Sequence, residues 1–579
     1  MVSALLAGAP TTSGAGSTGI DSCTTISEPG TYDLTGDISN ESATTCLHVT
    51  ASDVVIDGNG HTVHGTHAED ELRTSAGIEI DDGPAGVDAD ESTTVSNVTV
   101  RDVRVTGWDT GVRATYASDV RLENVTRVDG AAPDSAGTTG RLRGGAIFVK
   151  NATGVTITHS TVADTPKGID VAKSADVTVA DTTVDNVTFT PGISFWDTAG
   201  EVRVVRNELT NLTRGGTDVG TRRATRVTIA DNVITRTGTG VTVSGSANAT
   251  VVGNELRGNE NGVSVVQSRN VVVRENAVSG FSTSGIRVVG AQTGLDSANV
   301  TVAGNDIDQT GSVTVAAIYV DYTTDAAVRS NAVTDGTIEF GESVVDSTIA
   351  ANDVSGGEIG VALHDSTLEN VSVRENHVRN ATVGIDLVSR TPEGTVIVDN
   401  ALENGETGVR VAITQTGAGT TAIQGNTITE FSDAGIAVDN STGTLSVTNN
   451  AITDNGDGVR VGDKTRTTED GDGCTFVTSD AGAETVELHR NRIAGNADYG
   501  VYNQDNDAVN ATQNFWGAGD GPSSPDDEDA PFEDPETGAL ADGSGDAVSE
   551  GGTSGVANVR FDPWTSTEMV ADAAQNESA

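Results

Sequence analysis

The sequence predicts an all-β chain folded as a parallel β-solenoid of about 20 rungs, and three observations predict it. An Asn followed by one residue and an aliphatic returns about every 24 residues between Asn207 and Asn450. A Gly-aliphatic-x-aliphatic motif returns in phase with it, as in Gly262-Val-Ser-Val and Gly384-Ile-Asp-Leu. The apolar stretches between these positions are too short for helices. Each repeat is therefore one coil of short strands, stacked on the next coil.

One repeat shows the order of its elements. The segment from Gly262 to Gly285 holds three apolar stretches, Val263 to Val265, Val271 to Val273, and Ala277 with Val278. Each is rich in β-branched residues and is bounded by Asn, Gly or Ser, which is typical of strands joined by turns. Since side chains alternate along a strand, Val263 and Val265 are expected to face the interior together.

The recurring Asn falls where the chain must turn sharply, and Asn tolerates left-handed backbone angles. In stacked coils its side-chain amides would lie about 4.8 Å apart and could hydrogen-bond along the stack. We therefore interpret these residues as a structural ladder rather than as a ligand site. The ladder positions are Asn254, Asn276, Asn352, Asn376, Asn400, Asn426 and Asn450.

The repeats divide the chain into five segments. Residues 1–20 are expected to be a signal remnant and linker, and residues 21–75 an N-terminal cap that covers the first open rung. Residues 76–517 form the solenoid. Residues 518–555 are rich in acidic residues, Pro and Gly, and are predicted to be a disordered loop. Residues 556–579 are expected to pack on the last rung.

Composition alone would suggest disorder, because only 35% of residues are hydrophobic, 3% are aromatic and the net charge is -51. The periodicity overrules that interpretation, since a narrow solenoid core needs few apolar residues per rung. The acidic residues are spread along the chain and Lys is scarce, which resembles proteins of salt-in halophiles. Nucleic acid is excluded as a partner because phosphate binding needs a basic stripe.

Export is expected from the Ser/Thr-rich linker, the cysteines and many Asn-x-Ser/Thr sequons, so we predict a glycoprotein that is extracellular or at the cell surface. Cys23 and Cys46 could form a disulfide in an exported protein, although two thiols remain an alternative. No apolar stretch is long enough to span a membrane. The oligomeric state is not predicted.

Three segments carry a family resemblance: Cys23-Thr-Thr-Ile with Pro29-Gly-Thr-Tyr, Val55-Ile-Asp-Gly-Asn-Gly-His-Thr-Val, and Asn514-Phe-Trp-Gly with Gly521-Pro. With the rungs, they resemble single-stranded right-handed parallel β-helix proteins of the pectin-lyase-like class, especially the NosD-type and carbohydrate-binding surface branch. The resemblance implies a right-handed parallel β-helix. It leaves function open, because that class includes lyases, hydrolases, epimerases, adhesins and a copper-accessory factor.

Aromatic residues beside carboxylates favour binding of a polysaccharide or cell-surface glycoconjugate, because sugars are held by aromatic faces next to polar groups. Three such groups follow rung strands, which makes a non-catalytic glycan-binding role our leading hypothesis. An alternative is that the rings only cover rung corners. The candidate substrate-binding residues are Trp108, Asp109, Trp196, Asp197, Tyr319, Asp321 and Tyr322.

Two further hypotheses concern chemistry on acidic glycans and copper. A lyase or epimerase needs a base, a group that neutralises the uronate and often Ca²⁺, so Ca²⁺ is a candidate cofactor. A hydrolase would instead need two or three carboxylates on one face of adjacent rungs. Copper would need imidazole ligands, since the chain has only two Met. Both sets of residues also fit ordinary surface charges and turns. The catalytic candidates are Arg143, Lys150, Lys167 and Asp170, and the metal candidates are His61, His64 and His67.

Overall fold

The computed structural model describes residues 16–40, 44–65, 75–83, 94–128, 145–220, 223–291, 297–309, 316–413, 419–462, 482–505, 507–526, 528 and 530–567. It divides into two compact units, unit 1 (Met1–Thr250) and unit 2 (Val251–Ala579).

Unit 1 consists of short strands joined by tight turns. In chain order they are β1 (Thr18–Ile20), β2 (Thr24–Ile26), β3 (Gly30–Leu34), β4 (Ile38–Asn40), β5 (Thr45–Val49), β6 (Val54–Asp57), β7 (Thr62–Gly65), β8 (Ala76–Ile80), β9 (Val95–Thr106), β10 (Thr110–Thr115), β11 (Ala117–Val128), β12 (Ile147–Lys150), β13 (Thr153–Thr158), β14 (Thr161–Thr165), β15 (Ile169–Ala172), β16 (Ala175–Ala180), β17 (Thr183–Val187), β18 (Ile193–Trp196), β19 (Ala199–Val205), β20 (Glu208–Gly220), β21 (Arg223–Ala230), β22 (Val233–Ser244) and β23 (Ala247–Val252).

Unit 2 repeats this construction and adds one short 3₁₀ helix, Ala483–Thr485. Its strands are β24 (Glu255–Arg257), β25 (Asn261–Val266), β26 (Arg269–Arg274), β27 (Ala277–Ser279), β28 (Ser284–Val289), β29 (Ser297–Ala303), β30 (Asp306–Asp308), β31 (Ile318–Asp321), β32 (Thr323–Arg329), β33 (Ala332–Thr334), β34 (Ile338–Phe340), β35 (Val344–Val345), β36 (Thr348–Ala350), β37 (Asp353–Ser355), β38 (Ile359–Glu369), β39 (Ser372–Arg374), β40 (His377–Arg379), β41 (Val383–Glu393), β42 (Val396–Val398), β43 (Ala401–Ile413), β44 (Thr421–Gln424), β45 (Thr427–Ser441), β46 (Leu445–Thr448), β47 (Ala451–Thr453), β48 (Asp457–Val461), β49 (Val486–His489), β50 (Arg492–Ala494), β51 (Val501–Asn503), β52 (Val509–Asn510) and β53 (Val559–Arg560).

Strands one coil apart pair in parallel, which confirms the all-β parallel β-helix prediction. For example, β12 pairs with β15 through Ile147↔Ile169, and β41 pairs with β43 through Ile385↔Val409. Over the described residues the coil makes about 17 turns, close to the expected 20. The region expected to be a cap, residues 21–75, departs from the prediction, because β2 to β7 already pair in parallel with later strands. Their Val and Ile spacing builds rungs of the same kind.

The Asn ladder is buried and hydrogen-bonded. In unit 2, the Asn376 Nδ2 donates to Asn400 Oδ1 at 2.9 Å and to the Ile349 carbonyl at 3.0 Å, while the Asn376 Oδ1 accepts from the backbone N–H of Asn352. The same pattern links consecutive ladder residues from Asn254 to Asn450. Each amide therefore closes the turn of one coil and connects it to the next.

The left-handed backbone angle does not fall on the ladder Asn, as the sequence suggested, but on the residue before it. Glu275 (φ 55°), Glu375 (φ 55°) and Asp399 (φ 54°) are examples. The physical reason is that the Asn side chain must reach the interior to bond the neighbouring coils. The preceding residue, whose side chain points outward, can therefore absorb the turn.

The disorder prediction for residues 518–555 is wrong over the part that the structure describes. Phe532, Ala541 and Val548 are at most 1% exposed, and Asp534 accepts backbone N–H groups from Glu536 and Phe561. A few apolar residues spaced along an acidic stretch are enough to cover the end of a narrow core. β53 then pairs in parallel with β52.

Candidate functional site

In both units, the x residue of the Gly-aliphatic-x-aliphatic motif faces away from the core. Its two aliphatic neighbours point inward, as Ile193 and Phe195 do at 0% and 2% exposure, so alternation puts Ser194 outside. Because the strands are in register, successive x residues form a column on the outer face of one sheet. The polar and aromatic residues of interest lie in or beside this column.

The first part of the unit 1 column is a closed network of paired charges. The Arg113 Nη1 lies 2.9 Å from Glu79 Oε1, and the His48 Nε2 lies 3.0 Å from Asp81 Oδ1. All four residues are at most 6% exposed. Burial lowers the pKa of His48, but its contacts with Asp81 and Glu79 outweigh burial and raise it overall. These groups satisfy one another and offer little surface to a ligand.

Further along the same sheet, polar residues lie side by side on neighbouring strands, and two exposed aromatic rings belong to the middle strand and to the turn before it. Trp196, at the end of β18, is 59% exposed, and Phe189, in the turn before β18, is 46% exposed. The register places Asp170, Ser194 and Asp218 side by side on β15, β18 and β20. We call these five residues the aromatic strip.

The strip is held in place by local contacts. The Ser194 hydroxyl donates to Asp170 Oδ1 at 3.0 Å. The backbone N–H of Phe189 donates to the Pro166 carbonyl at 2.9 Å, which fixes the turn that carries the ring. Lys173 Nζ lies 5.7 Å from the centre of the Trp196 ring. The two rings are thus presented on ordered backbone rather than on a mobile loop.

Positive charge gathers around the strip. Arg214 lies 5.9 Å from the Phe189 ring centre, and Lys150 is two register steps from Trp196 through Ala172. Burial lowers the pKa of Lys167 to about 8, against the opposing effect of Asp170. Burial also raises the pKa of Asp218. Three of the predicted catalytic candidates, Lys150, Lys167 and Asp170, therefore lie in this region, and Arg143 lies outside the described residues.

Trp108 cannot serve the predicted sugar-binding role, because it is only 3% exposed and its Nε1 donates to the Val63 carbonyl at 3.2 Å. The ring fills space left by glycines on neighbouring coils. A Cβ on Gly65 would lie 2.6 Å from it, and a Cβ on Gly77 would lie 3.1 Å away. Asp109 accepts the Ser75 N–H and hydroxyl at 2.9 and 3.0 Å, as expected of a turn residue.

Two other predicted binding residues occupy left-handed turns, Asp197 (φ 51°) and Tyr322 (φ 45°). Each follows a strand of the x column, so each positions the strand end beside Trp196 or Asp321. The remaining candidates, Tyr319 and Asp321, belong to unit 2 and to a different cluster.

That cluster is a row of six titratable side chains on the outer face of β31, β34, β38, β41 and β43. We call it the acid–base row: Tyr319, Asp321, Glu339, His364, Asp386 and Arg410. The His364 Nε2 lies 2.9 Å from Asp386 Oδ2, and its Nδ1 lies 3.9 Å from Glu339 Oε1. Arg410 binds Asp386 with two nitrogens, Nε to Oδ1 at 2.7 Å and Nη2 to Oδ2 at 2.5 Å.

The three carboxyl groups of the row differ in their pKa shifts. Burial, at 9% exposure, raises the pKa of Asp321 to about 6, and burial also raises the pKa of Glu339. Burial alone would raise the pKa of Asp386 too, but the hydrogen bonds from His364 and Arg410 lower it. The bond to Asp386 raises the pKa of His364. Carboxyl groups with divergent proton affinities are typical of functional sites.

Sequence reasoning missed Glu339, His364, Asp386 and Arg410. A signal existed for two of them, because Asp386 and Arg410 are the x residues of Gly384-Ile-Asp-Leu and Gly408-Val-Arg-Val. Because x residues of successive coils lie side by side, the motif alone could have predicted that Asp386 and Arg410 are neighbours. Glu339 lacks the preceding Gly, so the motif does not mark it.

The predicted copper ligands do not converge in the structure. The His61 Nδ1 lies 3.4 Å from Asp37 Oδ1, the His64 Nδ1 lies 2.9 Å from the Thr106 hydroxyl, and His67 lies outside the described residues. Over the described ranges, no group of three or more His, Cys, Asp or Glu side chains is arranged to hold a metal ion.

Comparison with known proteins gives one family and several structural similarities. The family model described as "Periplasmic copper-binding protein (NosD)" matches residues 128–299 and 299–521. The A-module of mannuronan C-5 epimerase AlgE6 from Azotobacter vinelandii is 14% identical, with 69% of this chain and 90% of that chain covered and a TM-score of 0.33. PfbA, a surface adhesin of Streptococcus pneumoniae, is 14% identical, with 74% and 81% covered and a TM-score of 0.24.

Tailspike protein 3 of bacteriophage CBA120 is 9% identical, with 64% of this chain and 52% of that chain covered and a TM-score of 0.26. Similarities at this level carry no argument about function. A comparison with curated proteins finds no match. In the part of the chain that the structure describes, no helix is long and apolar enough to cross a membrane.

The family description implies copper, and the donor set can be tested against it. Cu(II) favours several imidazole nitrogens and Cu(I) favours sulfur ligands. The described histidines instead contact carboxylates, hydroxyls or a backbone carbonyl, and no three potential ligands converge among the described residues, so those residues do not fit a copper site. The match nonetheless spans more than half of the sequence, and with the parallel coils it shows that this chain belongs to the NosD family.

Proposed function

We propose that the chain is an exported β-helix protein that binds polysaccharide or glycoconjugate through the aromatic strip of unit 1. The observation that carries the proposal is the pair of exposed rings, Trp196 at the end of β18 and Phe189 in the turn before that strand. Among the described residues, they are the aromatic members of the exposed large hydrophobics. Exposed apolar side chains rimmed by polar residues are typical of binding surfaces.

The polar groups of the aromatic strip suit a sugar chain. Sugar rings present apolar faces that stack on aromatics and hydroxyls that need hydrogen-bond partners. Asp170, Ser194 and Asp218 supply acceptors and a hydroxyl within the same strip. The strip lies on an open sheet face, which favours an extended polymer over an enclosed small molecule.

The charges around the strip favour an acidic glycan. The chain has 84 Asp and Glu against 33 Lys and Arg, yet Lys150, Lys167, Lys173 and Arg214 gather at this face. A local positive region on an acidic surface would orient a uronate or sulfate toward the rings. High salt would shorten the range of this attraction without removing the contacts.

We propose an extracellular or periplasmic location. The structure pairs Cys23 with Cys46 in a disulfide with Cα atoms 4.4 Å apart, and such bonds persist in oxidising compartments. The periplasmic description of the NosD family supports the same location.

The test is Trp196→Ala measured against an array of acidic and neutral polysaccharides in molar salt. We expect at least one acidic glycan to bind the parent protein, and the variant to bind it about tenfold more weakly, which corresponds to about 1.4 kcal/mol. Leu540→Ala is the matched control, because Leu540 is 43% exposed and belongs to unit 2 rather than to the strip. Equal loss in both variants, or no binding to any glycan, contradicts the proposal.

A further inference from the structure

Unit 2 contains a second site that the binding proposal does not use. The acid–base row places Tyr319, Asp321, Glu339, His364, Asp386 and Arg410 on five consecutive strands of one outer sheet face. Surface ion pairs normally consist of one acid and one base. Here three carboxyl groups share one histidine and one bidentate arginine, so two of the carboxyl groups have no full countercharge within the row.

Asp321 is the residue that points most clearly to a ligand. It is 9% exposed, and its Oδ1 is buried without a hydrogen-bond partner in the described structure. Buried carboxylate oxygens rarely lack a donor, because the lost hydration costs about 1–3 kcal/mol. The cost of lost hydration is smaller for a protonated carboxyl group, but its O–H then needs an acceptor.

Glu339 lies on the same sheet face as Asp321, but it reaches water and has a histidine nearby. Its register partner is Tyr319, so Asp321 lies diagonally from it, two residues further along β31. Its side chain is 22% exposed and therefore reaches water, while His364 Nδ1 lies 3.9 Å from its Oε1. Burial raises the pKa of Glu339 overall, and protonated His364, held by Asp386, opposes that rise and favours the ionised form.

The spacing of the two carboxyl groups can be estimated from sheet geometry. Adjacent strands lie about 4.8 Å apart and two residues advance about 6.6 Å, so the diagonal separation is about 8 Å. Pairs of carboxyl groups about 6.5–9.5 Å apart leave room for a water molecule and invert the anomeric centre, whereas pairs about 5–5.5 Å apart act through a covalent intermediate. The estimate falls in the first range.

We infer that the acid–base row hydrolyses a glycosidic bond by single displacement, with Asp321 as the proton donor and Glu339 as the base. The bond between the anomeric carbon and the bridging oxygen breaks, and that oxygen takes the proton of Asp321. A water molecule loses a proton to Glu339 and forms the new bond to the anomeric carbon. Exchange with solvent then restores both carboxyl groups.

The remaining members of the row are positioning residues. Asp386 is fully buried, and its contacts hold His364 and Arg410 in fixed orientations. The pKa of Asp321 also responds to Tyr319, Glu342 and Arg287, which are the other polar groups that act on that carboxyl group. The choice of a glycan as substrate rests on the proposed function, but the residues involved are separate from the aromatic strip.

The experiment incubates the full chain in molar salt with polygalacturonate, alginate, dextran and laminarin, and measures new reducing ends. We expect at least one polymer to be cut, and Asp321→Asn and Glu339→Gln each to lower the rate at least about 100-fold. Glu369→Gln, an exposed carboxylate off the row, is the control that should keep the parent rate. Thermal unfolding of each variant checks that the fold is intact.

Two further readouts identify the mechanism. Activity should fall as pH rises through about 6, where Asp321 loses its proton, and nuclear magnetic resonance of the first product should show the inverted anomer. Unsaturated uronate ends, a retained anomer, or full activity in either variant would overturn the inference. A glycan that is bound through Trp196 but never cut would overturn it while leaving the binding proposal intact.

Discussion

At the residue scale, the ladder Asn shows how one side chain can determine the geometry of a whole coil. The Asn376 Nδ2 donates hydrogen bonds to Asn400 Oδ1 and to the Ile349 carbonyl, and its Oδ1 accepts one from the backbone N–H of Asn352. The repeat of this residue could be predicted from the sequence, because its spacing is regular. Its backbone angle could not, since the left-handed turn moves to whichever residue comes before it.

Asn376→Ala should lower the free energy of unfolding by about 2–4 kcal/mol, because it leaves buried donors on Asn352 without an acceptor. Denaturant unfolding of the full chain measures this. Arg374→Ala is the comparison, since Arg374 is 45% exposed and pairs only with exposed Glu375, and its loss should cost less than about 1 kcal/mol. Equal effects would show that the ladder adds no stability of its own.

At the element scale, strand alternation makes the inward face predictable and leaves the outer face to context. Val and Ile at period two identify the core in every coil, and the x column follows from the same rule. The burial of Trp108 could not be predicted from alternation, because it depends on Gly65 and Gly77, which are distant in sequence. The acid–base row is similar, since only the register aligns Glu339 and Asp386, one on each side of Ala362.

The motif glycines should be sensitive for a related reason. A Cβ at Gly384 would lie 2.5 Å from the Gly408 carbonyl of the next coil, so Gly384→Ala must push two strands apart. We expect a loss of about 1–3 kcal/mol in thermal or denaturant unfolding. Gly552→Ala, where a Cβ meets nothing within 4 Å, should be neutral or slightly stabilising. A neutral Gly384→Ala would mean that the strands can separate at no cost.

At the scale of the whole molecule, the net charge of -51 acts on every coil. Parallel β-helix architecture was predictable because the repeat recurs many times, and each copy reinforces the same assignment. The ordered C-terminal segment was not, because its acidic composition outweighs a handful of apolar residues such as Phe532 and Val548 in any reading of composition. Their effect depends on covering the end of a core that only the fold creates.

Self-repulsion should make the chain depend on salt. We expect the melting temperature to rise steeply as NaCl or KCl increases from about 0.05 to 1 M, because the screening length falls from over 10 Å to about 3 Å. Equal concentrations of NaCl and KCl should act alike, whereas sucrose at matched osmolality should give a smaller rise. A melting temperature that does not change with salt would argue against a halophilic origin.

The step from Asn450 to Asn491 spans 41 residues, yet the two amides share the same 2.9 Å hydrogen bond as neighbours that are 24 residues apart. The additional residues between Asn450 and Asn491 therefore leave the hydrogen-bonded Asn ladder unchanged. Evolution can therefore lengthen a loop here to try a new surface without refolding the protein. A protein engineer could use the same position to graft a foreign sequence, with the ladder on either side reporting whether the host has tolerated it.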